Sequence, residues 1–200
     1  MIPLILAALA FSPHVTNPWY PLKPGTVYHY KGVKDGEPST ETLRVTHRTA
    51  VIDGAPCVVI EDRLYLSGKL EERTTEWYSQ DANGNVWYFG ENTAELDKHG
   101  KVVTREGSWR AGRNGARAGI FMYAHPKVGQ RARQEFYKGH AEDHFAVISV
   151  KGDTIVTKEW TPLEPKVLDH KTYKRGVGNV LELTVRGPLE RNTLVSVERP

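Results

Sequence analysis

The sequence predicts an all-β protein, an antiparallel meander that curls into a lipocalin-like or partly open β-barrel, with a β-sandwich as the alternative. Three observations lead there. Short runs rich in β-branched and aromatic residues follow one another along the chain, turn signals bearing Gly, Asp, Asn and Pro separate them at hairpin spacing, and no stretch carries a sustained helical period. Short connections favour neighbouring strands, and curling hides the edges that an open sheet exposes.

The chain opens on the apolar run MIPLILAALA, which ends in Ala8-Leu9-Ala10. It reads as the apolar region and small-residue cleavage site of a signal peptide, although no positive residues precede it. Residues 1–10 are therefore expected to be a signal-peptide remnant and the protein to be exported, to the periplasm or beyond the cell. Residues 11–25 hold Pro13, Pro18, Pro21 and Pro24. Proline fixes φ and removes a donor, so an extended strap over the domain is expected, pinned by Trp19 and Tyr20. Residues 26–200 are read as one barrel-like domain.

Strands are expected over 26–30, 41–49, 55–66, 70–81 and 86–89, with turns at Gly32, Asp35-Gly36, Asp53-Gly54 and Ser67-Gly68. The single cysteine, Cys57, lies in the apolar run Pro56-Cys57-Val58-Val59-Ile60 and reads as a small core residue. Residues 70–91 form the longest hairpin signal, centred on Asn83-Gly84, a pair that tolerates the positive φ of a type I′ turn. A two-residue loop there pairs Gln80 with Trp87, Tyr78 with Phe89 and Glu76 with Glu91. Alternation then puts Glu76, Tyr78, Trp87, Phe89 and Glu91 on one face, and Trp77 and Tyr88 on the other. Aromatic residues on both faces place the hairpin in the middle of the sheet.

Residues 107–129 break the pattern. Four glycines in the first thirteen residues, and Arg105, Arg110, Arg113 and Arg117 around Trp109, read either as a mobile cationic loop that covers a site or as a solvated, well-packed Ω-loop. Strands resume over 130–138, 145–151, 154–161, 167–173, 180–186 and 194–198.

With 27 basic and 24 acidic residues the charge is nearly balanced and scattered, so no footprint for nucleic acid is present. No apolar run is long enough for a helical membrane span. His140 and His144 are four apart but follow a β-run, whereas zinc motifs of that spacing need a helix; Asp81-x-Asn83-x-Asn85 resembles a calcium loop with its glycine misplaced. No metal and no cofactor are predicted.

Several stretches are shared with a known group. Asn17-Pro18-Trp19-Tyr20-Pro21-Leu22-Lys23-Pro24-Gly25-Thr26, Gln80-Asp81 with Gly84-Asn85-Val86-Trp87-Tyr88-Phe89-Gly90-Glu91, Gln134-Glu135-Phe136-Tyr137 with Ala141-Glu142-Asp143, and Gly176-Val177-Gly178 resemble a family of uncharacterised exported bacterial all-β proteins. The resemblance implies export and an all-β domain, and no activity.

The candidate ligand-binding surface combines Glu72, Glu76, Tyr78, Trp87, Phe89 and Glu91 of the hairpin with Trp109 of the loop and Arg133, Glu135 and Tyr137 of a later strand. Aromatic walls with a few convergent polar groups at a barrel mouth suit a small amphipathic ligand. Three functions compete: a binding module for an amphipathic small molecule or lipid, a hydrolase or isomerase using a carboxylate pair, and a structural envelope protein. If the leader is removed after Ala10, intact mass spectrometry of secreted material will give a chain starting at Phe11; secreted chains that retain Met1 would refute the cleavage.

Overall fold

Asp35-Gly36, Asp53-Gly54 and Ser67-Gly68 each place two consecutive residues at positive φ, between 47° and 80°. This is the type I′ signature, whose twist matches that of the strands it joins. These turns connect β1 (Val27–Lys34), β2 (Glu37–Ile52), β3 (Ala55–Leu66) and β4 (Lys69–Gln80). The computed structural model describes residues 10–200; the expected signal-peptide remnant, except Ala10, lies outside the described residues.

The meander continues through β5 (Val86–Leu96), which also pairs with the short β6 (Val102–Thr104) and β7 (Trp109–Arg110), and then β8 (Arg117–Met122). After β9 (Arg131–Arg133) and β10 (Glu135–Phe136) it runs through β11 (His144–Lys151), β12 (Thr154–Trp160), β13 (Leu168–Lys174), β14 (Gly178–Arg186) and β15 (Arg191–Glu198). All pairings are antiparallel, and β15 returns to pair with β1. Among the described residues the fifteen strands make one sheet, nearly closed into a barrel with a single unsealed seam.

The two ends of that sheet belong to one stretch of chain. Arg131–Arg133 pairs with β11, and two residues later Glu135–Phe136 pairs with β8. Between β8 and β9 there is no ladder, so the seam is bridged by other means. The Tyr123 hydroxyl donates to the Arg131 carbonyl at 2.9 Å. Gly119 of β8 lies so close that an added Cβ would stand 2.2 Å from the Arg133 carbonyl oxygen.

Residues 11–25 form an irregular stretch that bends at 18–20 and folds back so that Leu22 donates its amide to the Val15 carbonyl. It is held by isolated bridges Ser12–Gln80 and Val15–Leu22, and the Asn17 side chain accepts from the Trp19 and Tyr20 amides while donating to the Gly84 carbonyl. Trp19 is buried under the Arg175 guanidinium, 4.2 Å from its ring, and Tyr20 packs on Phe121 and Tyr78. Cys57 is fully buried, and burial pushes its thiol up to about 12, so it serves the core.

Three expectations need correction. Gly32 lies inside β1 rather than in a turn, because an added Cβ would collide with the Arg191 carbonyl of β15; it permits close approach of the first and last strands. Residues 107–129 are not one continuous loop. They contain β7 and β8, the second of which is a barrel stave whose glycine disguises it in the sequence. The hairpin loop is also wider than Asn83-Gly84: only Gly84 has positive φ, and Asp81 Oδ1 accepts from the amides of Asn83 and Asn85. A side chain that binds its own following backbone thus defeats the two-residue turn.

Gly119→Ala is expected to cost about 3 kcal/mol or more by wedging the seam, whereas Gly139→Ala, at φ 78° with open space around it, should cost about 1–2 kcal/mol of backbone strain. Urea unfolding of both variants checks the order; equal midpoints would mean that the seam yields freely.

Candidate binding site in the barrel lumen

Alternation along each stave sends every second side chain inward. In β4 and β5 this rule is modified by a bulge between Trp77 and Tyr78. Near the loop Ser79 faces Trp87 and Tyr78 faces Tyr88, one residue out of the predicted register; beyond the bulge Glu76 faces Glu91, as predicted. Phe89 is the extra residue, and Gly90, at φ 132°, lets the β7 backbone approach where a Cβ would meet the Trp109 carbonyl oxygen at 2.4 Å.

The consequence is a changed cast on the inner face. Glu76, Tyr78, Glu91 and Glu135 line a lumen of about 270 Å³, and Glu72 lines an adjoining cavity of about 190 Å³ at one mouth. Trp87 and Phe89 are turned outward, both edge-on to Phe11. Arg133 is also outside, 3.7 Å from Glu142 and over the Phe136 ring. Trp109 and Tyr137 line a separate outer groove, although the Trp109 indole N–H donates inward to Glu135 Oε1 at 3.1 Å.

Residues that the sequence reading missed complete the lumen. They include Tyr20, Tyr30, Glu41, Asp62, Tyr88, Asp143, Glu159, Lys171, Tyr173 and Glu182. Their sequence signal was polar alternation, as in Thr157-x-Glu159 and Lys171-x-Tyr173, which equally describes a solvent-facing strand. Only closure makes those positions interior.

The lumen has two electrostatic halves. On one side Lys171 Nζ stands 3.0 Å from Glu159 Oε2 and 3.5 Å from Glu182 Oε1, and Glu159 Oε1 also accepts from the Thr157 and Tyr173 hydroxyls. On the other, hydroxyls replace cations. The Tyr78 hydroxyl donates to Glu76 Oε1 at 3.1 Å, and the Tyr88 hydroxyl lies 3.0 Å from Glu91 Oε2 and 3.4 Å from Glu76 Oε1. The two tyrosine rings stack at 4.6 Å. Among the described residues Glu76 Oε2, Asp62 Oδ1 and Asn192 Oδ1 are buried without a partner, an arrangement that costs desolvation energy.

Burial is the first cause of every carboxyl shift here. It raises Glu76 to about 7, with Tyr78 opposing and Glu41 adding, and Glu135 to about 8, with Asp143 adding. Glu182 rises to about 7 against the pull of Lys171. Glu91 is held well above the carboxylate range by burial, then by Glu135 and only then by Glu76. The facing pair is therefore strained less by its own repulsion than by the dry, acidic lumen around it.

No protein-family model and no curated protein matches the chain. Among solved structures, it is similar to a protein assigned as exported, with a YmcC-like fold, from Bacteroides fragilis, at 12% identity and TM-score 0.46 over 90% of this chain and 99% of that one. It is also similar to a protein assigned as a lipoprotein from Parabacteroides distasonis, at 11% identity and TM-score 0.44 over 90% of this chain and 97% of that one.

A carboxyl whose folded pKa exceeds its unfolded value keeps a proton in the native state that the unfolded chain has lost, so its contribution to stability is complete below the unfolded pKa and disappears as pH rises through the folded one. For Glu76, Glu135 and Glu182 that window runs from 4.5 to about 8. The melting temperature should fall across it, and Glu76→Gln combined with Glu135→Gln should flatten the fall and melt above the parent at the alkaline end. Parallel profiles for variant and parent would show that these groups titrate normally.

Proposed function

We propose that the barrel is a binding module for a small amphipathic cation, of the class of linear polyamines, held in the lumen. The observation that carries this reading is the charge of the lining. The lumen and its mouth present Glu41, Asp62, Glu72, Glu76, Glu91, Glu135, Asp143, Glu159, Glu182 and Glu190 against only Lys34, Lys171 and Arg191. The two cavities share Glu41, Asp62, Glu182 and Asn192, which makes a continuous acidic path inward.

Charge alone describes many surfaces, but this one is enclosed and incomplete. Glu76 Oε2 and Asp62 Oδ1 have no hydrogen-bond partner among the described residues, and an ammonium group supplies donors and positive charge together. The tyrosine rings of the far end give the methylene segments of such a ligand an aromatic wall and its cation a π-face. A neutral lipid finds no comparable match, since most of the lining side chains are ionisable. The lumen lies near the lower end of ligand-pocket volumes, which suits a thin, short molecule.

A second reading, acid–base catalysis by a carboxylate pair, is favoured by one observation. Glu76, at about 7, and Glu91 flank a single tyrosine hydroxyl, so a proton donor and acceptor pair is available near neutral pH. The structural-protein reading has no use for a buried acidic lumen. We also propose that the protein is exported, which the apolar run ending in Ala8-Leu9-Ala10 supports.

Calorimetry with spermidine and with an uncharged diol of similar length tests the binding reading. Spermidine should bind with release of protons, visible as a dependence of the heat on buffer ionisation, because an ammonium favours the ionised carboxylates. Glu76→Gln should weaken it about tenfold, the cost of one charge-assisted contact. Absence of spermidine heat, or equal binding of the diol, would refute the proposal.

A further inference from the structure

Outside the barrel wall, where β4, β5 and β7 meet the turn 111–116, lies a groove of about 460 Å³ that the lumen reading does not use. Its lining is of a different character. Trp77 forms one wall beneath the Arg110 guanidinium, 5.6 Å from its ring, and Tyr137 forms another, held by a stack on His140 at 4.3 Å. Asn92, Arg113 and Asn114 supply polar groups at its exposed edge.

The inventory of partners is what makes the groove informative. Among the described residues neither Arg110 nor Arg113 forms an ion pair; Arg110 Nη2 donates only to the Val51 carbonyl, and the Arg113 guanidinium has no hydrogen-bond partner. The Asn92 side-chain oxygen accepts from Arg105, which leaves its amide donors for a ligand. Arg110 is thus set over the Trp77 ring and Arg113 lines the same groove, with positive charge uncompensated at the rim. The turn that carries Arg113 is not loose: Arg113 donates its amide to the Arg110 carbonyl, Ala116 to the Arg113 carbonyl, and Gly112, at φ 77°, turns the chain against Asp53.

We propose that this groove binds an acidic saccharide, a chain of uronic acid residues. Each part of that ligand has a counterpart: the C–H faces of sugar rings pack against Trp77 and Tyr137, the hydroxyls accept from the Asn92 and Asn114 amides, and the uronate carboxylate takes two parallel N–H donors from Arg113. A neutral sugar leaves the guanidinium unused. A simple anion leaves the rings unused. The volume lies within the range of built ligand pockets, well above that of a site for a single small ion. The groove and the lumen lie on opposite sides of β5, and Glu91 is the lining residue they share, so the two sites are adjacent but their ligands are of opposite charge.

The test compares a trigalacturonate with its fully methyl-esterified form, which keeps the shape and removes the charge, by calorimetry and tryptophan fluorescence on the full chain. The acid is expected to bind and to perturb the fluorescence, the ester to bind at least about tenfold more weakly, and Arg113→Ala and Trp77→Ala each to weaken the acid about tenfold or more. Arg113 is exposed, so its variant should fold even if Trp77→Ala does not. Lys166→Ala removes an equal charge from an exposed loop outside the groove lining and should leave binding unchanged. Equal affinity for acid and ester, an unaffected Arg113→Ala, a loss on Lys166→Ala as large as on Arg113→Ala, or no binding of the acid would each overturn the proposal. Tighter binding of adenosine monophosphate than of trigalacturonate would overturn it too, since it would assign the groove to phosphate-bearing ligands.

Discussion

One short segment, residues 131–136, makes the interior of this protein. Arg133 pairs with His144 of β11, Glu135 pairs with Ala118 of β8, and between them Gln134 donates its amide to the Asp143 carbonyl at 2.7 Å. The segment changes partner within two residues, so both edges of a fifteen-stranded sheet end on the same piece of backbone. Without it Glu41, Glu76, Glu159 and Glu182 would face water, where ionised carboxylates cost nothing. With it they face one another across the lumen, and the protons that burial holds on Glu76 and Glu182 become part of folding.

The acidic interior is tolerated because its two halves are satisfied differently. Around Lys171 the carboxylates of Glu159 and Glu182 meet a buried cation, and the Thr157 and Tyr173 hydroxyls fill remaining acceptor sites. Around Glu76 and Glu91 there is no cation, only the stacked Tyr78 and Tyr88 with their hydroxyls turned to the carboxyls. Burial then holds protons on the acids. The second half keeps one partnerless oxygen on each of Glu76 and Asp62 among the described residues, and this imbalance is what distinguishes a candidate binding site from an ordinary buried ion-pair network.

The bulge at Phe89-Gly90 shows how local and global rules combine. Asp81 widens the loop with its own carboxylate and moves the register by one; the bulge moves it back, so Glu76 still meets Glu91. Between the two offsets, Tyr88 takes the inward place that simple alternation assigns to Phe89, and Trp87 goes outside to give its indole N–H to Asp81 Oδ2. The predicted pair is thus correct while half of its predicted neighbours are not.

Local chemistry was legible in the chain. Asp-Gly and Ser-Gly pairs determine the tight hairpins, prolines keep the residues around Trp19 and Tyr20 out of the regular strands, and alternation with turn spacing determines an antiparallel barrel-like sheet. The β8 stave escaped, because Gly119 weakens its strand pattern for a reason visible only across the seam, where the Arg133 carbonyl leaves no room for a side chain. Which polar faces are interior was decided by closure alone. A strand written Lys-x-Tyr or Thr-x-Glu has the same period whether its polar side meets solvent or other carboxylates, and only the pairing of residues 131–136 with both sheet edges, together with the return of β15 from the far end of the chain to β1, turns that side inward.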